Sequence, residues 1–234
     1  MCTLTYYPQS KTSFVLTHNR DELVSRGVAH HPKKQRVNNV DLLFPQDPDA
    51  GGTWIALGEG RSACLLNGAF ERYRHTPPYK KSRGLVLLES FDYKTGFGFA
   101  SDYDFSGVAP FTLVLADHAL DLSLIELKWD GDVLHRFEHN PQEAHIWSAA
   151  TLYIPEVRME REAWFAEYRR TRGPLSEEEL IEFHMFGGVG DPHKDLRVKK
   201  GKASTVSISQ IRKSTASSLW YKDLIANTVS ECQY

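Results

Sequence analysis

Apolar and polar residues alternate along Cys2-Thr3-Leu4-Thr5-Tyr6-Tyr7, and Ser13-Phe14-Val15-Leu16-Thr17-His18 makes a return strand. Both runs are rich in β-formers and the polar stretch from Pro8 to Thr12 separates them, which predicts a hairpin over the first twenty residues. From Asn19 to Pro48 the chain turns polar, with His30-His31-Pro32-Lys33-Lys34 inside it, and reads as a long surface excursion or a loop over a site. Gly51-Gly52 opens a second hairpin, Thr53 to Leu57 and Ser62 to Asn67 around Gly58-Glu59-Gly60. A short helix is predicted over Ser82 to Phe91, where Leu85, Leu88 and Glu89 have helical spacing. Residues 110–149 read as strands, at Pro110 to Asp117, Leu122 to Leu127 and Val133 to Phe137, the last two separated by Asp130-Gly131.

Two helices follow. Glu160 to Arg172 carries Trp164, Phe165 and Tyr168, and the capping box Ser176-Glu177-Glu178-Glu179 opens a helix that ends at Gly187-Gly188. Ala203 to Ser209 and Ser218 to Tyr221 return to β. Strands in hairpins with helices grouped between them predict the α+β class with antiparallel sheets. The pattern shows no repeat, low-complexity tract or linker, so a single domain over residues 1–234 is expected.

Composition narrows the function. Against 30 Asp+Glu the chain sets 28 Lys+Arg, a net charge of −2, which argues against a nucleic-acid protein with its strongly basic face. No stretch reaches the roughly 18 apolar residues of a membrane span, and no basic segment leads into an apolar run at the start. The three cysteines, Cys2, Cys64 and Cys232, are too sparse for a disulfide scaffold and point to a reducing, cytoplasmic setting.

His30-His31 are adjacent, and His135 and His139 lie on a strand, so no metal site is expected. Gly187-Gly188-Val189-Gly190 follows a helix and is no dinucleotide loop, and no cofactor is expected. Basic clusters stand at Lys33 to Arg36, Lys80 to Arg83, Arg169 to Arg172 and Arg197 to Lys202. Each reads as a solvated face, or as the lining of a site for a small anionic ligand. The oligomeric state is open.

Cys2 is the position with the most chemistry. The initiator methionine is ordinarily removed before a small second residue, which would leave a thiol and an α-amine on one residue. That amine has a reference pKa of about 7.7–8.0 and can serve as the base for its own side chain. Taken alone, a cysteine there is more often a small buried apolar residue. Asn19-Arg20-Asp21-Glu22 follows the return strand, and hairpin geometry brings it beside Cys2. Asp21 can then accept from the amine, and Arg20 favours the thiolate. Read alone, the four polar residues are a solvated loop.

These features, with Gly51-Gly52-Thr53-Trp54, Ala63 to Asn67, Ser82-Arg83-Gly84 and Ser204-Thr205-Val206, resemble in order the NRDE family, the transport and Golgi organisation protein 2 group. The resemblance covers nearly the whole chain. It implies an N-terminal-nucleophile hydrolase-like fold, a four-layer αββα sandwich, and its first twenty-odd residues are similar to choloylglycine hydrolases and penicillin V acylases. By that similarity Cys2 is the nucleophile, Asp21 the partner of its amine, Arg20 a substrate contact and Asn67 an oxyanion-hole residue.

Trp54, which also reads as core, His18, Asn19, Ser148, Lys202 and Ser204 are the candidate substrate contacts. Where the family has Leu-Ser-Asn-Ala, this chain has Trp147-Ser148-Ala149-Ala150, and where it has Arg-Ser-Ser-Thr, this chain has Lys202-Ala203-Ser204-Thr205. Loss of one oxyanion donor ordinarily costs about 100- to 1000-fold in turnover. Two functions are therefore expected to compete. One is an N-terminal-cysteine hydrolase or acyltransferase acting on a small molecule; the other is a non-catalytic carrier of haem or acyl lipids using the same cleft.

Overall fold

The computed structural model describes residues 2–234, the side chains of Cys2 and Lys200 excepted. The first hairpin is β1 (Cys2–Pro8) and β2 (Phe14–Leu23). The meander that follows is β3 (His30–Val37), β4 (Val40–Gln46), β5 (Ile55–Gly58) and β6 (Arg61–Asn67). Helices α1 (Arg83–Glu89) and α2 (Gly96–Asp102) interrupt it before β7 (Phe111–Asp117), β8 (Ser123–Trp129) and β9 (Leu134–His139). Then come β10 (His145–Ser148), α3 (Pro155–Arg172), α4 (Glu177–Phe186) and β11 (Lys199–Lys200). The last strands are β12 (Ala203–Lys213), β13 (Ser218–Asp223) and β14 (Thr228–Gln233).

All pairings between these strands are antiparallel. One sheet runs β10-β1-β2-β12-β13-β14 with β11 on β12, and the other is β3 to β9 in chain order. Three apolar interfaces divide four layers. Leu4, Leu16, Cys64, Val114 and Ile211 meet between the sheets; Val86, Leu87, Phe99, Leu113 and Leu115 join α1 and α2 to the second sheet; Val15, Phe165, Leu180 and Phe183 join α3 and α4 to the first. The architecture is the αββα sandwich. Strand β7 is apolar at nearly every position because Leu113 and Val114 face different cores, both closed to water.

Several elements differ from the sequence reading. The segment 19–48 is no surface excursion: β2 continues to Leu23, and β3 and β4 form a hairpin. Its turn is Asn38-Asn39, both at positive φ (46° and 71°), the conformation of tight hairpin turns that asparagine tolerates. β3 escapes recognition because as an edge strand it shows solvent a polar, lysine-rich pattern. α2 is hidden by its two glycines; the Thr95 hydroxyl caps it by accepting from Gly98 N at 3.0 Å, and Phe99 anchors it. α3 starts at Pro155, five residues before the predicted Glu160, with proline in the first turn where no donor is lost. The capping box at Ser176 and Glu179 is present as predicted.

Gly52 and Gly84 pack backbone on backbone. A Cβ on Gly52 would stand 2.5 Å from the Gly84 carbonyl carbon, and one on Gly84 would stand 2.8 Å from Thr53 N. The contact seats α1 against the loop before β5, with Thr53 N donating to Gly84 O at 3.3 Å. Gly52→Ala and Gly84→Ala are each expected to lose about 1–3 kcal/mol or more by overpacking, read from urea unfolding midpoints. A neutral result at both would mean that α1 is free to move.

Candidate functional site

The polar run His18-Asn19-Arg20-Asp21 occupies the end of β2, a strand paired on both sides, and all four residues are buried. Alternation along the strand sends His18 and Arg20 toward the other sheet and Asn19 and Asp21 toward the α3/α4 layer.

On the inner side, His18 Nε2 donates to Leu65 O at 3.2 Å. Burial lowers the imidazole pKa to about 3, so His18 is neutral at physiological pH. Arg20 donates to Asp47 Oδ2 at 2.5 Å and its guanidinium lies 4.3 Å from the Trp54 ring centroid. Trp54 is in turn fixed by donating to Ser209 Oγ at 3.2 Å. Asp47 also accepts from Arg26 at 2.7 and 3.1 Å and from the Asp49 and Ala50 amides, both at 3.0 Å. Burial opposes its ionisation, yet Arg26, the Ala50 amide and Arg20 hold it below the ordinary carboxylate range.

On the outer side, Asn19 donates to His184 O and Leu196 O at 3.0 and 2.8 Å and accepts from His184 Nδ1 at 2.8 Å. That fixes the His184 tautomer, whose Nε2 accepts from Thr5 Oγ1 at 2.8 Å. Asp21 accepts from Tyr153 OH at 2.7 Å and Thr205 Oγ1 at 2.6 Å. Burial pushes its carboxyl pKa up, while the two hydroxyls and the charge of Arg161 pull it back. Arg161 is fully buried, lies 3.7 Å over the Tyr153 ring, and donates to Thr3 Oγ1, Lys194 O and Asp195 O at 2.5, 2.9 and 2.6 Å.

A recess of about 130 Å³ opens between the sheets and α1, lined by Arg20, Arg26, Asp47, Trp54, Asn67 and Arg83 among others. It gathers three of the predicted residues, Arg20, Trp54 and Asn67. Cys2 pairs with Arg20 in the β1–β2 register, and Asp21 lies one position beyond that last pair. The Cys2 side chain, and with it the predicted nucleophile, is outside the described residues, as is Met1.

The other candidates lie elsewhere. His18 is sealed between the sheets, and Asn19 is spent on α4. Half-buried Ser148 sits 3.5 Å from Arg161, next to Thr3. Ala149 is buried in the core between the sheets. Ser204 lines a separate groove beside β11, Lys202 is exposed, and it is Thr205 that touches Asp21. Sequence reasoning missed Asp47, Arg26, Tyr153 and Arg161. Only Arg161 carried a signal, four residues before the buried Phe165 and thus on its helix face. Among the described residues no group of three or more His, Cys, Asp or Glu could hold a metal, and no helix is long and apolar enough to cross a membrane.

The solved structure of penicillin V acylase from Agrobacterium tumefaciens aligns with 100% of this chain and 86% of its own, with a TM-score of 0.62 and 11% identity. The fold is therefore N-terminal-nucleophile hydrolase-like. Residues 1–213 match the family described as Transport and Golgi organisation 2, and the chain belongs to that family. A comparison with curated proteins gives no match.

Asp47→Ala would strand buried Arg20 without its carboxylate, while Arg26 keeps Glu22 and Asp49, each at 3.8 Å. Because Arg20 is buried, the expected loss is about 3–5 kcal/mol in urea unfolding, and Asp47→Glu should recover part of it. The buried histidines add a pH dependence. Burial holds His18 and His184 far below the unfolded value of about 6.5, so the unfolded chain binds more protons below that pH. Their contribution is complete above pH 6.5 and falls as pH falls, by about 2 kcal/mol each at pH 5. Asp21, raised by burial, works in the opposite sense. Unfolding midpoints should drop from pH 7 to pH 5, and the drop should be smaller in His184→Gln. An equal drop in that variant would assign the dependence elsewhere.

Proposed function

We propose that this protein is an N-terminal-cysteine hydrolase or acyltransferase acting on an amide or other acyl bond of a small molecule. The observation that carries this reading is the register: Cys2 lies opposite Arg20, Asp21 follows directly, and Arg20 lines the recess that also holds Asn67. Removal of Met1 is required. The Cys2 thiol then passes its proton to its own α-amine, and the sulfur attacks the acyl carbon. The amine of the substrate leaves with that proton, a thioester forms, and water or an acceptor resolves it.

Asp21 is the group that holds the α-ammonium. Tyr153 and Thr205 orient it by donating to its two oxygens, and these hydroxyls and the charge of Arg161 oppose the rise in its pKa that burial causes. Arg20 favours the thiolate but is itself neutralised by Asp47, so its role is mainly to fix geometry around the reacting carbon. Asn67 supplies a side-chain donor for the oxyanion, while Ala149 supplies none. That absence favours the second reading, a carrier of haem or acyl lipids using the same cleft without turnover.

Mass spectrometry of the purified protein should find Cys2 at the N-terminus, and a thiol-reactive acyl electrophile should label it faster than half-buried Cys232 or fully buried Cys64. Labelling should rise with pH as the amine loses its proton, above the reference range of about 7.7–8.0 because Asp21 favours the ammonium. Asp21→Asn should lower the rate by about 100-fold or more. Retained Met1, or labelling no faster at Cys2 than at Cys232, excludes the catalytic reading. Saturable binding of haemin or an acyl-CoA without turnover, lost in Cys2→Ala, would favour the carrier.

A further inference from the structure

Three guanidinium groups and two carboxylates face the recess. Asp47 is answered by Arg20 and Arg26. Glu22 lies 3.8 Å from Arg26 and accepts from Leu23 N at 2.9 Å. Arg83 is the remaining cation, and among the described residues it has no carboxylate partner. Its Nη1 donates to two uncharged oxygens, Tyr73 OH at 2.9 Å and Pro110 O at 3.3 Å. Pro110 O also accepts from Gly68 N at 3.0 Å, which places Arg83 beside the Asn67–Gly68 end of β6. The neighbouring lysines are neutralised, Lys80 by Asp104 at 3.0 Å and Lys81 by Glu89 at 2.5 Å.

Ser82, another lining residue, makes no cap bond to α1, and its buried hydroxyl has no partner among the described residues. A buried hydroxyl left open beside a half-buried guanidinium that meets no carboxylate among the described residues is a polar site still to be filled. The recess of about 130 Å³ brings Ser82 and Arg83 to the same space as Arg20 and Asn67.

We propose that Arg83 is the specificity residue of this recess and pairs with a carboxylate on a small anionic substrate, with the Ser82 hydroxyl as its second contact. This rests on the catalytic reading above: the carboxylate binds at the α1 side and the reactive carbonyl is held toward Arg20 and Cys2. Loss of a charge-assisted hydrogen bond of this kind weakens binding by about 10- to 100-fold.

The test uses two matched pairs of amides with the purified full chain. A succinyl amide is compared with a butyryl amide of the same amine, and N-acetylglycine with N-acetylglycinamide. Wild type should prefer the carboxylate member of at least one pair by about 10- to 100-fold in kcat/KM. The ratio should fall toward unity in Arg83→Gln and be partly kept in Arg83→Lys. Turnover that depends on Cys2 but shows no carboxylate preference in either pair overturns this inference and leaves the catalytic reading standing. If no turnover depends on Cys2, that reading fails, and calorimetric titration of succinate and N-acetylglycine decides the site alone. Saturable binding that weakens in Arg83→Gln supports it, and no binding to wild type overturns it.

Discussion

Four consecutive polar side chains, His18 to Asp21, are buried on one strand, Arg20 alone reaching the recess, and each is answered by the protein itself. The two inner ones are answered by the second sheet, through Leu65 O and Asp47. The two outer ones are answered by the helix layer and the strand beside it, through His184, Leu196, Tyr153 and Thr205. No single layer could satisfy the run, because strand alternation sends its members to opposite sides. The sandwich brings a different set of partners to each side of β2.

The same constraint explains why the remaining motif residues are what they are. Gly52 and Gly84 let the loop before β5 and the start of α1 meet without side chains between them, so Asp47, Trp54 and Arg83 face one small space. Thr53 turns its hydroxyl to Pro45 O and Ile55 O at 2.6 and 2.9 Å, pinning the loop that puts Trp54 under Arg20. Buried Arg161 is held by carbonyls, hydroxyls and the Tyr153 ring, an arrangement suited to a planar guanidinium and poorly to lysine. These contacts hold the site rigid from both sides.

Much of the fold was legible in the sequence. The sequence pattern located β1 and the start of β2 nearly to the residue, the capping box located α4, and the grouping of strands and helices implied antiparallel sheets. Polar segments were not legible: β3 looks like loop because it is an edge, and residues 19–21 look solvated because their partners lie more than a hundred positions away in several cases. The candidate site followed the same rule. Asn67 and Arg20 stand in recognisable local patterns and share the recess, whereas Asp47, Tyr153 and Arg161 matter only through distant contacts. Periodicity reports on near neighbours; a buried charge is explained by far ones.

The central strand of the first sheet also sets the order in which the molecule can come together. β2 is the second strand made, yet β12, its partner over Phe14 to Leu23, is among the last. Until residues 203–213 have left the ribosome, one side of β2 has no ladder, and Asp21 lacks the hydroxyl of Thr205. A chain shortened before β12 would lose β12 to β14 and leave β2 as an edge, unpaired on one side. Closing so long a span adds only slowly to the entropy cost but delays the pairing, so the first residues synthesised are among the last to be enclosed.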